Sequence, residues 1–224
     1  MLVNGHSVDL VFDGGFTKVR KAFYNIIKRL FDFVVAGLSI ILLSPLFLVI
    51  GLMIKIDSKG KVIYKHKRIG KDGKYIYLYK FRSMYSDSKE RLEELLKNPE
   101  IKKEWEENYK LDNDPRITKV GNFLRKSSLD ELPQLFNILC GDMSIVGPRP
   151  VIDSEIEKFG SDKDKLLSVT PGLTGWWACN GRSSTSYDER VALELYYVDN
   201  RSILLDIKVI IKTVLSVIKG DGAK

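Results

Sequence analysis

Two adjacent carboxylates, Asp130 and Glu131, stand between Ser127-Ser128-Leu129 and Leu132-Pro133. Proline is tolerated only in the first turn of a helix, so Pro133 predicts a helix start at about Ser128 to Asp130, with both carboxylates at its N-terminus. Ser, Asp and Glu are ordinary capping residues, and capping alone is the plain explanation of this pattern. A chemical explanation draws on the neighbours: Lys80, Arg125, Lys126 and Arg149 would surround a carboxylate pair that faces a nucleotide diphosphate. Bidentate arginines and helix N-terminal amides hold phosphate oxygens, a divalent metal held by a carboxylate offsets charge, and an ionised Asp attacks phosphorus. Glycoside hydrolysis fits less well, because its two acids must face each other across a sugar ring ~5 to 9.5 Å apart.

Three further stretches could serve such a site. Pro148-Arg149-Pro150 fixes an arginine between two stiff residues, which lowers the entropy lost when it clamps an anion or packs against a flat base; a rigid loop with an exposed arginine is the simpler alternative. Thr170 to Trp177 and Asn180-Gly181-Arg182 form a glycine-punctuated loop whose paired tryptophans are expected at the headgroup level of a membrane, with Arg182 nearby. Lys80-Phe81-Arg82-Ser83-Met84 gathers two cations and a hydroxyl at a strand end, where a solvated basic edge is the ordinary reading.

The elements that must position these residues begin with an uncharged run, Phe33 to Ile54. At ~1.5 Å per residue it is roughly 33 Å long, enough to cross a ~30 Å hydrocarbon core. Pro45, preceded by Ser44, predicts a break or sharp bend, where the Ser44 hydroxyl can reach back to a freed carbonyl. Lysines and arginines lie on both flanks, which suits a segment that enters and leaves by one face; a spanning helix should be biased to one side. From the residues alone, spanning and re-entrant readings both stand.

Before that run, residues 1–20 show no sustained period, and Asp32 is expected to be a solvated or salt-bridged interface residue. After it, two β-branched and aromatic segments around Lys71-Asp72-Gly73 predict a β-hairpin. Ser86 to Asn108 predicts two short surface helices interrupted at Asn98-Pro99. Ser202 to Lys219 carries one apolar face, equally suited to lying in the membrane surface or packing on the core.

The chain of 224 residues carries a net charge of +7, which calls for an acidic partner: anionic lipid, a phosphorylated small molecule or nucleic acid. Nucleic acid is disfavoured, because no helix-turn-helix, zinc-finger or aromatic RNA-binding pattern is present. Cys140 and Cys179 lie far apart and His6 and His66 form no ligand spacing, pointing to a reducing compartment without structural zinc. The apolar run is too long and too far in for a cleavable signal.

These motifs, taken in order, resemble the bacterial sugar transferases, small monotopic phosphoglycosyl transferases that prime glycan assembly on polyprenol phosphate. The resemblance covers about Lys28 to Lys224 and rests on KRLFD at 28–32, Ser44-Pro45, RIGKDG at 68–73, KFRSM at 80–84, DPRIT at 114–118, LRKSSLDELPQLFNIL at 124–139, GDMSIVGPRP at 141–150, and PGLTGW followed by NGR. It implies an α/β fold, mostly α with a small β-hairpin. Residues 1–27 would be an N-terminal extension, 28–56 a re-entrant helix-break-helix turning at Ser44 and Pro45, and 57–224 a cytosolic catalytic domain with an interfacial C-terminal helix. It implies residence on the cytoplasmic face of the bacterial inner membrane.

For the chemistry, the resemblance implies that Asp130 attacks the β-phosphate of a UDP-sugar, expels UMP and forms a phosphosugar-aspartyl enzyme, from which polyprenol (undecaprenyl) phosphate takes the sugar phosphate. Glu131 completes the dyad and magnesium is expected beside Asp130. Arg125, Arg149 and Arg182, with Lys80, are implied phosphate and nucleotide contacts, and Pro148 and Pro150 border the uridine. The family commonly places a glutamine where this chain has Ala178, which bears on sugar recognition more than on the chemistry. The large extra domains of longer relatives are lacking, as in a short form or a fragment. The sugar and the glycan pathway are not encoded in any motif, and homo-oligomerisation is left open. The competing expectation is a membrane-anchored, non-catalytic scaffold that binds anionic lipid.

Overall fold

The computed structural model describes residues 6–108, 111, 113–181 and 185–219. Its first element, α1 (His6–Asp57), is one helix of 52 residues, so part of the stretch without sustained period is helical from His6 onward. The helix passes through Ser44-Pro45 without an interruption. Pro45 leaves the Ile41 carbonyl without its usual donor, and the Ser44 hydroxyl donates to that carbonyl at 2.8 Å.

Along α1, Ala36, Ile40, Leu43, Phe47, Ile50 and Ile54 recur in alternating steps of four and three and pack into the core. Other positions, among them Leu38, Ile41, Leu42, Leu48, Leu52 and Ile56, leave large apolar side chains exposed. Among the described residues this is the one helix long and apolar enough to cross a membrane, and only 11% of its most apolar window is buried. An uncovered apolar surface of that extent is consistent with monotopic membrane association.

Polar contacts tie the same helix to the rest of the chain on both flanks of its uncharged run. Arg29 donates to the Ile138 and Leu139 carbonyls at 2.6 and 2.8 Å. Asp32 departs from the expected interface position: it is buried and accepts the Ile145 N–H at 3.0 Å. Toward the other end, Asp57 accepts the Val120 N–H at 3.1 Å, and Arg82 donates to the carbonyls of Ile54, Ser58 and Lys59.

The expected hairpin is present: β1 (Ile63–Ile69) pairs antiparallel with β2 (Tyr75–Phe81) across a 3-10 turn at Lys71–Gly73. Its inner face, with Ile76 and Leu78, packs with α1 on Leu135, Ile138 and Met143. The two surface helices follow as α2 (Ser88–Leu95) and α3 (Pro99–Asn108), and Asn98 accepts the Glu100 N–H at 2.9 Å at the start of the second. Then come α4 (Lys119–Lys126), capped by the Thr118 hydroxyl, and α5 (Gln134–Cys140).

The second half holds β3 (Ser144–Val146), α6 (Asp153–Ile156), α7 (Lys163–Leu167), β4 (Gly172–Thr174), α8 (Tyr187–Asn200) and α9 (Ile203–Lys219). β3 and β4 form a parallel pair, a second two-stranded sheet for which the sequence reading has no counterpart. The backbones meet closely here: a Cβ on Gly172 would sit 2.1 Å from the Gly147 nitrogen, and one on Gly175 2.2 Å from the Gly147 carbonyl. The apolar residues of α9 divide. Leu205 and Val209 bury against Val146 and Tyr197, whereas Leu204, Ile207, Ile211, Val214 and Leu215 stay exposed. The fold is thus mostly helical, with two small β elements and one apolar N-terminal helix.

Candidate active site

Asp130 and Glu131 lie on a single 3-10 turn, Leu129–Glu131, that precedes α5. The helix proper begins at Gln134, slightly later than the position of Pro133 suggested. Ser128 enters the turn with φ 56°, a left-handed conformation that costs a side-chain-bearing residue of order 1–2 kcal/mol. That bend swings the chain out of α4 and sets both carboxylates beside β2.

There the Lys80 ammonium lies 2.7 Å from Glu131 Oε1 and 3.9 Å from Asp130 Oδ2. Asp130 is buried, with 9% of its surface exposed. Burial pushes its carboxyl above the usual value, against the pull of Lys80 and Arg125 toward the ionised form. Arg125 Nε donates to the Ser83 hydroxyl at 2.9 Å, which fixes the guanidinium on the same side. Lys80 and Ser83 of the KFRSM stretch thus belong to the site, while Arg82 caps the end of α1.

A cleft opens next to the dyad. Lys80, Glu131, Arg149 and Pro150 line it, together with Arg68, Gln134, Trp177, Ala178 and Glu194. Pro148 stands behind its wall, its carbonyl accepting the Gly172 N–H at 2.8 Å. Arg182 lies outside the described residues. Ala178 faces the cleft directly.

The far end of the cleft is a second group of charges that the sequence reading did not assemble. Glu155 binds Arg68 at 3.3 Å and Arg190 at 3.2 Å. Burial alone would raise the Glu155 carboxyl, but Arg190 and Arg68 outweigh it and hold the group below the usual carboxylate value. Glu194 is 1% exposed, and one of its oxygens, Oε1, accepts the Arg149 backbone N–H at 3.1 Å. Burial pushes Glu194 up to about 7, although Arg149 and Arg190 favour its ionised form. Trp177 sits between these groups, with the Arg190 guanidinium 4.7 Å and the Arg149 guanidinium 5.9 Å from its ring. Of the two tryptophans expected at headgroup level, Trp177 is therefore a cleft residue, while Trp176 stacks on Tyr196 at 5.3 Å.

His66 is the other omission. Burial, with Arg68, Lys80 and Arg149, pushes its imidazole down to about 4, so it is neutral at pH 7. Its alternation with Arg68 on a strand was the available signal, since residues two apart share a face.

No group of three or more His, Cys, Asp or Glu able to hold a metal occurs among the described residues. The donors present are nevertheless those that suit magnesium, which is usually bound by one or two carboxylates with substrate phosphates completing the shell. Lys80 gives its close contact to Glu131, which leaves the Asp130 oxygens with acceptor capacity toward such an ion.

The comparisons with known proteins fit this arrangement. Residues 23–220 match the family model described as bacterial sugar transferase. An undecaprenyl-phosphate galactose phosphotransferase of Salmonella typhimurium is 48% identical over 198 residues, 88% of this chain and 41% of the relative. The exopolysaccharide production protein ExoY of Sinorhizobium fredii is 46% identical over 200 residues, 89% of this chain and 88% of the relative. A UDP-glucose:undecaprenyl-phosphate glucose-1-phosphate transferase of Escherichia coli is 38% identical over 220 residues, 95% of this chain and 44% of the relative. The chain thus spans about two fifths of the length of several longer relatives and nearly all of a short one. With the match running from the anchor helix through the dyad to α9, this chain belongs to the bacterial sugar transferase family.

Proposed function

We propose that this chain is a phosphoglycosyl transferase that moves a sugar phosphate from a UDP-sugar to a polyprenol phosphate and releases UMP. The observation that carries the reading is the meeting of a buried carboxylate, Asp130, with the Glu131–Lys80 pair beside a cleft lined by Arg68 and Arg149. Family membership and the names of the relatives support the substrate classes.

In this reading Asp130 is the nucleophile. Its carboxylate oxygen forms a bond to the β-phosphorus, the bond from that phosphorus to the bridging oxygen breaks, and the electron pair departs with UMP. The acceptor phosphate oxygen then attacks the same phosphorus and the aspartyl–phosphorus bond breaks, which restores the carboxylate. Lys80 and Arg125 favour ionised Asp130 and offset charge on the transferring group. Glu131 holds Lys80 in place, and Arg149, between its two prolines, contacts the nucleotide end. Magnesium would be held by Asp130 and the substrate phosphates, and would supply charge neutralisation at the diphosphate.

The membrane arrangement belongs to the same proposal. Tyr24, Lys28, Arg29 and Asp32 just before the uncharged run of α1 and Asp57 just after it all bond to the remainder of the chain, and the apolar face between them packs on it. An apolar run so attached on both flanks and along its middle would have to drag that unit into lipid to span a bilayer. A re-entrant anchor that bends at Ser44-Pro45 and returns to the cytoplasmic face avoids this cost. The exposed apolar residues of α9 would rest at the same surface.

The test is UMP release across a panel of UDP-sugars with polyprenol phosphate, with and without EDTA, combined with intact-mass detection of a phosphosugar adduct. Release from one UDP-sugar, lost with EDTA, is the expected result. Metal-independent lipid binding with no UMP from any donor would return the chain to the role of a non-catalytic scaffold.

A further inference from the structure

The Pro148-Arg149-Pro150 loop is held on two sides. Backbone bonds fix it to the β4 segment, with Gly147 N–H donating to the Thr174 carbonyl at 2.9 Å and Gly172 N–H to the Pro148 carbonyl at 2.8 Å. From the other side α8 delivers Glu194, whose Oε1 accepts the Arg149 N–H at 3.1 Å. Proline on either side of Arg149 removes two backbone donors, so this single N–H is the only one the tripeptide has to offer. A buried acid is a costly way to receive it: Glu194 is 1% exposed and its second oxygen, Oε2, has no hydrogen-bond partner. A group kept at such cost beside a cleft, rather than in the apolar core, points to the part of the cleft it holds.

We propose that Glu194 is a positioning residue for nucleotide binding: by accepting the Arg149 N–H, it sets the Arg149 guanidinium at the cleft wall beside Trp177, and so fixes affinity for the uridine nucleotide. The inference rests on the transferase reading in taking that nucleotide as the ligand. Glu194 acts at the cleft end opposite the dyad and touches no reacting atom, so it governs binding of UMP and the KM for the UDP-sugar more than turnover at saturation. Arg190, one helical turn earlier on α8, and Glu155 on α6 complete the charges around it. Arg190 Nε and Nη2 are themselves buried without partners, so the geometry of this corner depends on each of its acceptors.

The experiment is UMP binding by calorimetry to the intact, detergent-solubilised chain and to Glu194→Ala, Glu194→Gln, Arg149→Ala and the Arg149→Ala/Glu194→Ala double variant. Loss of the acceptor in Glu194→Ala is expected to weaken UMP binding roughly tenfold, while Glu194→Gln, which keeps an acceptor oxygen, stays within about threefold of wild type. In the double variant the loss should be no greater than in Arg149→Ala alone, because the two residues act as one. With a turnover assay alongside, KM for the UDP-sugar should rise in Glu194→Ala while kcat changes by less than about threefold. Should the alanine variant not fold, Glu194→Asp, whose carboxylate stops one methylene short of the N–H, carries the same comparison. Unchanged UMP affinity in Glu194→Ala, or losses that add in the double variant, would overturn the proposal. UMP binding that follows this pattern in a protein releasing no UMP from any UDP-sugar would sink the transferase reading and uphold this one.

Discussion

The two ends of the cleft hold their acids with different donors. At the dyad, Glu131 is drawn to a lysine 2.7 Å away, and Asp130 is left buried and lightly paired. At the far end Glu155 is gripped by two arginines, while Glu194 spends its one bond on a backbone N–H. Both ends therefore contain one acid stabilised by cations and one that burial opposes. The difference lies in the closest donor: the Lys80 ammonium, a compact point charge, at the dyad, and planar guanidinium groups, suited to fixing a shape, at the far end. On the proposed transferase reading, the reacting end needs the first and the recognising end the second.

Substitutions separate the two. Asp130→Asn should reduce UMP release by at least about a thousandfold, because an amide cannot bond to phosphorus, and leave UMP binding in place. Equal loss of release and binding would dissolve the division between the ends. Lys80→Met should lower turnover about a hundredfold, the scale of removing one charge-stabilising donor, and Glu131→Gln less than that. Both are read in the same UMP assay.

Titration gives the comparison within the far end. Glu194 is raised by burial from the ordinary 4.5 to about 7, so its share of stability is present below the unfolded value and is lost as pH rises through 7. Glu194→Gln should accordingly gain on wild type by up to roughly 3 kcal/mol between pH 5 and 8, read as a widening Tm difference. Glu155 runs the other way: its lowered value contributes stability above the usual carboxylate range that fades as pH falls through the folded value. Glu155→Gln should cost about 3 kcal/mol at pH 7, where Arg68 and Arg190 lose a common partner, and less once pH falls through the folded value. Tm differences that move together with pH would show that the two acids are not held as described. The smallest effect belongs to the anchor: Ser44→Ala should cost about 1 kcal/mol, the worth of its bond to the Ile41 carbonyl.

What was legible in the sequence follows the same division. Asp130, Glu131 and Lys80 sit in short motifs whose residue types already carry their chemistry, and Pro133 located their turn to within a few residues. The hairpin around Lys71-Asp72-Gly73 and the break at Asn98-Pro99 were legible because local turn chemistry decides them. Arg68, Glu155, Arg190 and Glu194 come from a strand and two helices spread over more than half the chain, and no local pattern brings them together. Asp32 was misplaced for a related reason, since its partner is a backbone N–H of Ile145. The parallel β3–β4 pair is only three residues wide on each side, too short for any period to appear. The place of Trp177 between Arg149 and Arg190 was not legible because a tryptophan in a loop carries no sign of which neighbour will flank it.

The continuous docking of α1 has a mechanical consequence. Its buried stripe grips α5, the helix that directly follows the dyad, and Arg29 holds the last carbonyls of that helix. On the monotopic reading, the depth and tilt of the anchor set the height of Asp130 above the lipid headgroups, with no slack joint between them. A thinner or thicker bilayer, by rotating the anchor, would lift or lower the proposed nucleophile relative to the phosphate of the proposed lipid acceptor.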